Sequence, residues 1–321
     1  MISRRLIRIK VLQVFYAYVQ KPGRNLEEAV SELKTSLKRT LYLYYSILRL
    51  LLDLFDYAQR QIDMAKAKKM PSDEDLHPSL RFVSNSIIGE LRSREKLMKA
   101  LESSQVSWAE HGSLVRKLYQ TLIESEVYKS FMSRETADTE DEVEILHYIL
   151  TDLFANSQDL ELFLEEISIY WNDELEFVLS TFNRLVEALG KNPEMKIGAP
   201  NLFKNRLDEK FSEKLLQASI LHRKECLELI EKFTENWDIE RIALMDILLL
   251  TQGIAEVINF EDIPIRVTID EYIEIAKYYS TPRSSVFING VLDKIVHHLK
   301  ETRMIQKSGR GLIGDETIPA G

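Results

Sequence analysis

Only 11 glycines and 8 prolines interrupt the 321 residues of this chain. Between them, apolar residues recur three and four apart, which is the spacing of one helix face, and nowhere alternate over a useful length as a half-buried strand does. Few breakers and sustained helical spacing restrict the chain to an all-α fold built from packed helices. The spacing predicts helices over 4–20, from about 26 towards 68 with room for one break, and over 79–102, 105–132, 142–155, 159–169, 173–189, 208–236 and 239–257. Arg134 to Asp141 reads as a polar loop, and Gly190 to Pro200 as a linker. Thr268 with Glu271 reads as a capping box opening the penultimate helix. Thr281 with Pro282 reads as N-cap and first residue of the last helix, which runs to about Lys300. The glycine-containing tail from Ser308 onward is expected to be disordered.

With 45 % hydrophobic and 29 % charged residues the chain can bury a sizeable core. One cysteine, Cys226, excludes an internal disulfide and a cysteine-rich metal site. The chain opens Met1-Ile2-Ser3-Arg4-Arg5 without the apolar run of a signal peptide. Its most apolar stretch, Leu41 to Ala58, carries Arg49, Asp53 and Asp56, as a bundle helix does and a membrane span does not. The expected compartment is the cytoplasm, with no membrane partner. The net charge of −9 conceals an asymmetry: residues 135–176 hold fourteen carboxylates and no lysine or arginine, so the remainder carries +5. The acidic segment, which includes Phe154, Phe163, Tyr170 and Trp171, reads either as the solvated face of ordinary helices or as a docking surface for a basic partner.

Two places carry chemistry suited to nucleic acid. Arg4, Arg5 and Arg8, followed by Lys10, crowd the first helix start, and the three arginines fall within about a 100° arc that also holds Leu12, Phe15, Tyr16 and Val19. Arginines without partners cannot enter a core. The first turns are therefore expected to project from the bundle, as a basic arm for phosphates or simply as a solvated helix start. On the last helix, Ile288, Val291, Leu292, Ile295 and Leu299 form the core stripe. Arg283, Phe287, Gly290 and Lys294 form a second ridge on its flank, where an aromatic ring, two cations and a gap can receive a stacked base and its phosphate. The alternative is that Phe287 packs on a neighbouring helix and the cations are merely solvated.

The segments IERIALMDILLL, IPIRVTIDEYIEIAK and FINGVLDKI, within Trp237 to Leu299, resemble the C-terminal half of the NusB family of transcription antitermination factors. The opening RRLIRIKVLQVFYAY is similar to that family's arginine-rich first helix, with Leu6 where the family often has a further arginine. With the helix after Phe211 the likeness covers a little under half of the chain. The resemblance implies a fold of two helical bundles, interrupted here by a large helical insertion. The expected organisation is an N-terminal part of the NusB-like fold over 1–50, the insertion over 51–204, the C-terminal core over 205–300 and a disordered tail over 301–321. The resemblance also implies a non-catalytic protein without cofactor or metal. Its expected partners are single-stranded boxA-like RNA, the small-subunit ribosomal protein NusE and the RNA polymerase antitermination complex, with a homodimer possible. RNA contacts are implied at Arg4, Arg5, Arg8, Lys10, Arg283, Ser284, Phe287 and Lys294. Many relatives have an acidic residue where this chain has Arg283, which implies altered strength or specificity there.

Other arrangements are weak. His297 and His298 point about 100° apart on one helix, and His222 with Cys226 supplies only two ligands. NusB-like domains also precede ribosomal RNA methyltransferases, but no glycine-rich strand-to-helix turn for a cofactor is present. A helical protein-binding scaffold without its own RNA specificity is the remaining alternative, favoured by the acidic insertion and disfavoured by the two basic features.

Overall fold

The computed structural model describes residues 2–21, 23, 25–134, 138–171, 174–234 and 242–313. Among these residues the regular structure is helical throughout, with no strand. The chain forms two compact units, Met1–Leu37 with Leu202–Gly321, and Lys38–Asn201. The first boundary therefore falls after residue 37, inside a helix, rather than after residue 50.

The first unit contains α1 (Arg4–Gln20), the beginning of α2 (Leu26–Lys66), α11 (Arg206–Leu221), α12 (Arg223–Phe233), α13 (Leu244–Asn259), α14 (Ile265–Tyr279) and α15 (Ser284–Glu301). α13 is its axis: every residue from Leu248 to Val257 is buried, as expected for a helix with neighbours on all sides. It packs against α1, α11, α12, α14 and α15. Gly253 makes this crowding possible. A Cβ there would lie 3.3 Å from Tyr272 Cδ2 and 3.4 Å from Leu292 Cδ2, so a larger side chain would force α14 or α15 away.

The second unit contains the rest of α2 with α3 (Asp73–Leu76), α4 (Ser86–Ser93), α5 (Glu95–Ser103), α6 (Gly112–Glu124), α7 (Glu126–Ser133), α8 (Thr139–Tyr148), α9 (Gln158–Ile167) and α10 (Leu175–Lys191). Its own core runs from Leu43 to Leu189. Phe55 stacks on Phe82 at 4.2 Å between ring centres, and Tyr44 on Phe182 at 4.4 Å. Both buried indoles are satisfied: Trp108 donates to the Ser46 carbonyl and Trp171 to that of Arg39, each at 2.8 Å. Helix starts are fixed by side-chain caps at Ser72, Asn85, Ser125, Asp138 and Ser157.

Several boundaries differ from the sequence reading. The helices expected over 79–102 and 105–132 are each two shorter ones, broken at Arg94 and Ser125. α8 continues into a π-helical turn, Ile149–Phe154, whose Ile149, Leu150, Leu153 and Phe154 are all buried. α14 starts at Ile265 behind Pro264, so Thr268 lies within the helix and the expected capping box is absent. Its hydroxyl serves a buried carboxylate instead. The last helix turns through Thr281-Pro282-Arg283 and is regular from Ser284.

The expected disordered tail packs back as far as Ile313, through a 3-10 turn at Gly309–Leu312. Part of the Arg134–Asp141 loop, the first residues of the 173–189 and 239–257 helices, the last two of 208–236, the start of the NusB-like stretch at Trp237, and the tail after Ile313 lie outside the described residues.

Within the acidic segment most carboxylates are exposed, whereas Glu174 is fully buried. Phe154 and Trp171 are buried while Glu140, Glu144, Glu161, Glu165 and Glu166 are exposed. Asp141 pairs with Arg134 and Asp159 with Lys117.

Candidate nucleic-acid interface

α15 presents the two faces its sequence encodes. Ile288, Val291, Leu292, Ile295 and Leu299 are buried against the first unit's core. On the flank, Arg283, Gly290 and Lys294 are exposed and Phe287 is half-buried. No atom lies within 4 Å of where a Gly290 Cβ would stand, so the space between Phe287 and Lys294 is open. An aromatic ring between two exposed cations is chemistry suited to a base and its phosphates.

Ser284 does not belong to that surface. It is 1 % exposed and its hydroxyl donates to Asp246 Oδ2 at 2.8 Å. Ser280 donates to the other oxygen, Oδ1, at 2.6 Å. Asp246, itself buried near the start of α13, thus fixes the beginning of α15 with a negative charge at the positive end of the helix dipole. The expected RNA contact at Ser284 is corrected to a positioning role for Arg283 and Phe287.

The N-terminal arginines do not form a projecting arm. Ser3 caps α1 by accepting from the Leu6 amide at 3.1 Å, and the helix is regular from Arg4. Each arginine meets a carboxylate from a distant part of the chain. Arg4 donates to Asp208 at 2.8 Å, and Arg5 grips Glu271 through two hydrogen bonds of 2.8 and 3.0 Å. Arg8, 2 % exposed, grips the fully buried Glu256 at 2.8 and 2.6 Å. Arg4 and Arg8 also lie over the Phe211 ring, at 5.1 and 5.3 Å.

Glu256 accepts further hydrogen bonds from Thr268 at 2.9 Å and Tyr272 at 3.1 Å, so its buried charge is well satisfied. Burial alone would favour loss of the Arg8 proton. The charge and hydrogen bonds of Glu256 outweigh it and hold the guanidinium above its ordinary range. Burial, reinforced by Glu256, likewise raises the Tyr272 hydroxyl, which remains a donor.

Lys10 is also buried, at 1 % exposure. Of the four cations expected on RNA, Arg8 and Lys10 are therefore core residues, whereas Arg4 and Arg5 keep 35 % and 48 % of their side-chain surface. The projecting arm is absent because its premise, arginines without partners, does not hold. The partners sit 204 to 266 residues away in sequence.

The expected residues thus fall into two groups. Arg8 touches α13 at Gln252 and Glu256, while Arg283 lies at the Asp246 end of the same helix. Ten residues of helix separate these ends, about 15 Å. Sequence reading missed Asp246 and Glu256, although two acids inside a strongly apolar helix were a visible signal that buried partners had to exist.

Elsewhere, burial pushes the Cys226 thiol up to about 12, which makes it unreactive. Among the described residues no group of three or more histidine, cysteine or acidic side chains could hold a metal ion, and no helix is long and apolar enough to cross a membrane.

The NusB family model matches residues 185–297, which include the whole α15 ridge but neither α1 nor the tail. A transcription antitermination protein NusB from Salinibacter ruber is 47 % identical over 108 residues, covering 34 % of this chain and 68 % of that protein. Proteins of the same name from Chloroherpeton thalassium and Natranaerobius thermophilus are 45 % and 46 % identical over 84 and 76 residues. These cover 26 % and 24 % of this chain, and 40 % and 55 % of the respective relatives. No solved structure matches the chain. The identity, the share of the Salinibacter protein that is covered and the helical architecture around α13 lead to one conclusion: the chain belongs to the NusB family.

Proposed function

We propose that this protein is a transcription antitermination factor that binds single-stranded, boxA-like RNA and catalyses nothing. It does so together with the small-subunit ribosomal protein NusE, and supports RNA polymerase on ribosomal RNA operons. The observation that carries this reading is the open ridge of α15. Arg283 and Lys294 are exposed to either side of the half-buried Phe287 inside the matched family region, with open space at Gly290. Relatives 45–47 % identical bear the name of transcription antitermination proteins, which supports the same reading. Phe287 stacks a base, Arg283 and Lys294 hold the flanking phosphates, and the exposed parts of Arg4 and Arg5 supply a second basic patch. Arg8, Lys10 and Ser284 hold the fold that presents them.

Fluorescence anisotropy with a boxA-like oligoribonucleotide, with and without NusE across a salt series, tests this. The expected result is salt-sensitive binding that tightens with NusE. Phe287→Ala should cost about 1–3 kcal/mol, the worth of one stacked base. Lys294→Ala should lower the salt slope by about 0.7, the share of one single-strand phosphate. Absence of binding by the folded protein, even with NusE, would leave the scaffold reading in its place.

A further inference from the structure

The segment after α15 lies beyond the matched family region, yet it is built to stay in one place. After Arg303 it runs along the α13–α14 turn. The Lys307 ammonium donates to the Phe260 carbonyl at 2.8 Å, and the Ser308 amide to the Glu261 carbonyl at 3.0 Å. Gly311 is buried so closely on the same turn that a Cβ would overlap the Glu261 carbonyl oxygen. Only glycine fits there, so the seat of this strap is written into its sequence.

The docked strap carries Arg310 to a cleft of about 530 Å³ lined also by Arg4, Arg5, Arg8, Asp262 and Glu271. Arg8 is spent on Glu256 and Arg5 on Glu271. Arg4 commits only its Nε, to Asp208, which leaves both Nη groups without a hydrogen-bond partner among the described residues. Arg310 is exposed and has no ion pair at all among the described residues. Without the strap, each N-terminal arginine is matched by its carboxylate and Asp262 makes the cleft repel anions. With it, the charge of Arg310 balances that of Asp262, and Arg4 and Arg310 line one opening with N–H donors not taken by a carboxylate, a combination that suits a phosphate oxygen.

We infer that the C-terminal strap Arg303–Ile313 completes a backbone-phosphate site, in which Arg310 and Arg4 together hold a phosphate of the bound single-stranded RNA. This rests on the RNA-binding reading above and adds to it a contact outside the matched family region. A phosphate contact carries no base information, so its effect is the same for every RNA sequence.

Anisotropy titrations of the full chain with a boxA-like RNA and with a scrambled RNA, over a salt series, test it in three variants: Arg310→Ala, Gly311→Ala and the two combined. Arg310 is exposed, so its truncation leaves the fold intact. Gly311→Ala unseats the strap while keeping the arginine. At about 0.1 M salt, loss of one single-strand phosphate contact corresponds to roughly fivefold weaker binding and a salt slope smaller by about 0.7. The expected result is that loss for both RNAs in either single variant, with no further loss in the double. Wild-type binding that Arg310→Ala leaves unchanged overturns the inference while the RNA-binding reading stands. Weakening by Arg310→Ala but not by Gly311→Ala also overturns it, because the charge would then act without the seated strap. No binding by the wild type overturns both.

Discussion

Arg8 and Glu256 show how a single residue pair decides between two readings of the same sequence. An arginine-rich helix start suggests a flexible arm until a carboxylate is found for each guanidinium. The Arg8–Glu256 pair is enclosed, gripped by two hydrogen bonds and supported by Thr268 and Tyr272. Such a pair adds little over a well-packed apolar pair, but breaking it strands a buried charge. Arg8→Met is therefore expected to cost about 3–5 kcal/mol in urea denaturation, and Arg8→Met with Glu256→Leu to recover much of that loss. A single-variant cost below about 1 kcal/mol would mean that water reaches the carboxylate. The pairing was illegible in the sequence because 248 residues separate the partners. The α15 ridge was legible because all of its members fall within twelve consecutive residues on one helix.

At the scale of elements, α13 determines what the other helices of its unit can do. Its burial on all sides fits its apolar composition, and the core stripe of α15 was evident from spacing alone. Helix ends were harder to read. Thr268 and Glu271 match a capping box by residue type, but Pro264 already opens α14, and both side chains are drawn to partners on other helices. The breaks at Arg94 and Ser125 were hidden because the apolar spacing continues through them. Gly253 marks the closest approach of α13 to α14 and α15. Gly253→Val is expected to destabilise by about 1–3 kcal/mol through overpacking, despite the better helix propensity of valine over glycine. A melting temperature equal to or above wild type would show that Tyr272 and Leu292 can move aside.

The whole molecule consists of one helical unit formed from both ends of the chain, which holds most of the family match, and a second helical unit formed by residues 38–201. The second unit has a core of its own with satisfied indoles and capped helices, and its size is that of an ordinary domain. Residues 38–201 expressed alone are expected to give a helical circular dichroism spectrum and a cooperative thermal transition. A broad, non-cooperative melt would show that its stability depends on the first unit. The division of the chain into two units was not legible at its first boundary, because α2 runs from one unit into the other without any break in its pattern. On the function proposed above, RNA lies along the α15 ridge of the first unit. Crosslinking the full chain to a boxA-like RNA carrying 4-thiouridine, followed by peptide mapping, tests this most directly. The account predicts adducts on the peptide holding Arg283 to Lys294, lost when Phe287→Ala is introduced. Adducts confined to residues 38–201, with none on α15, would contradict it.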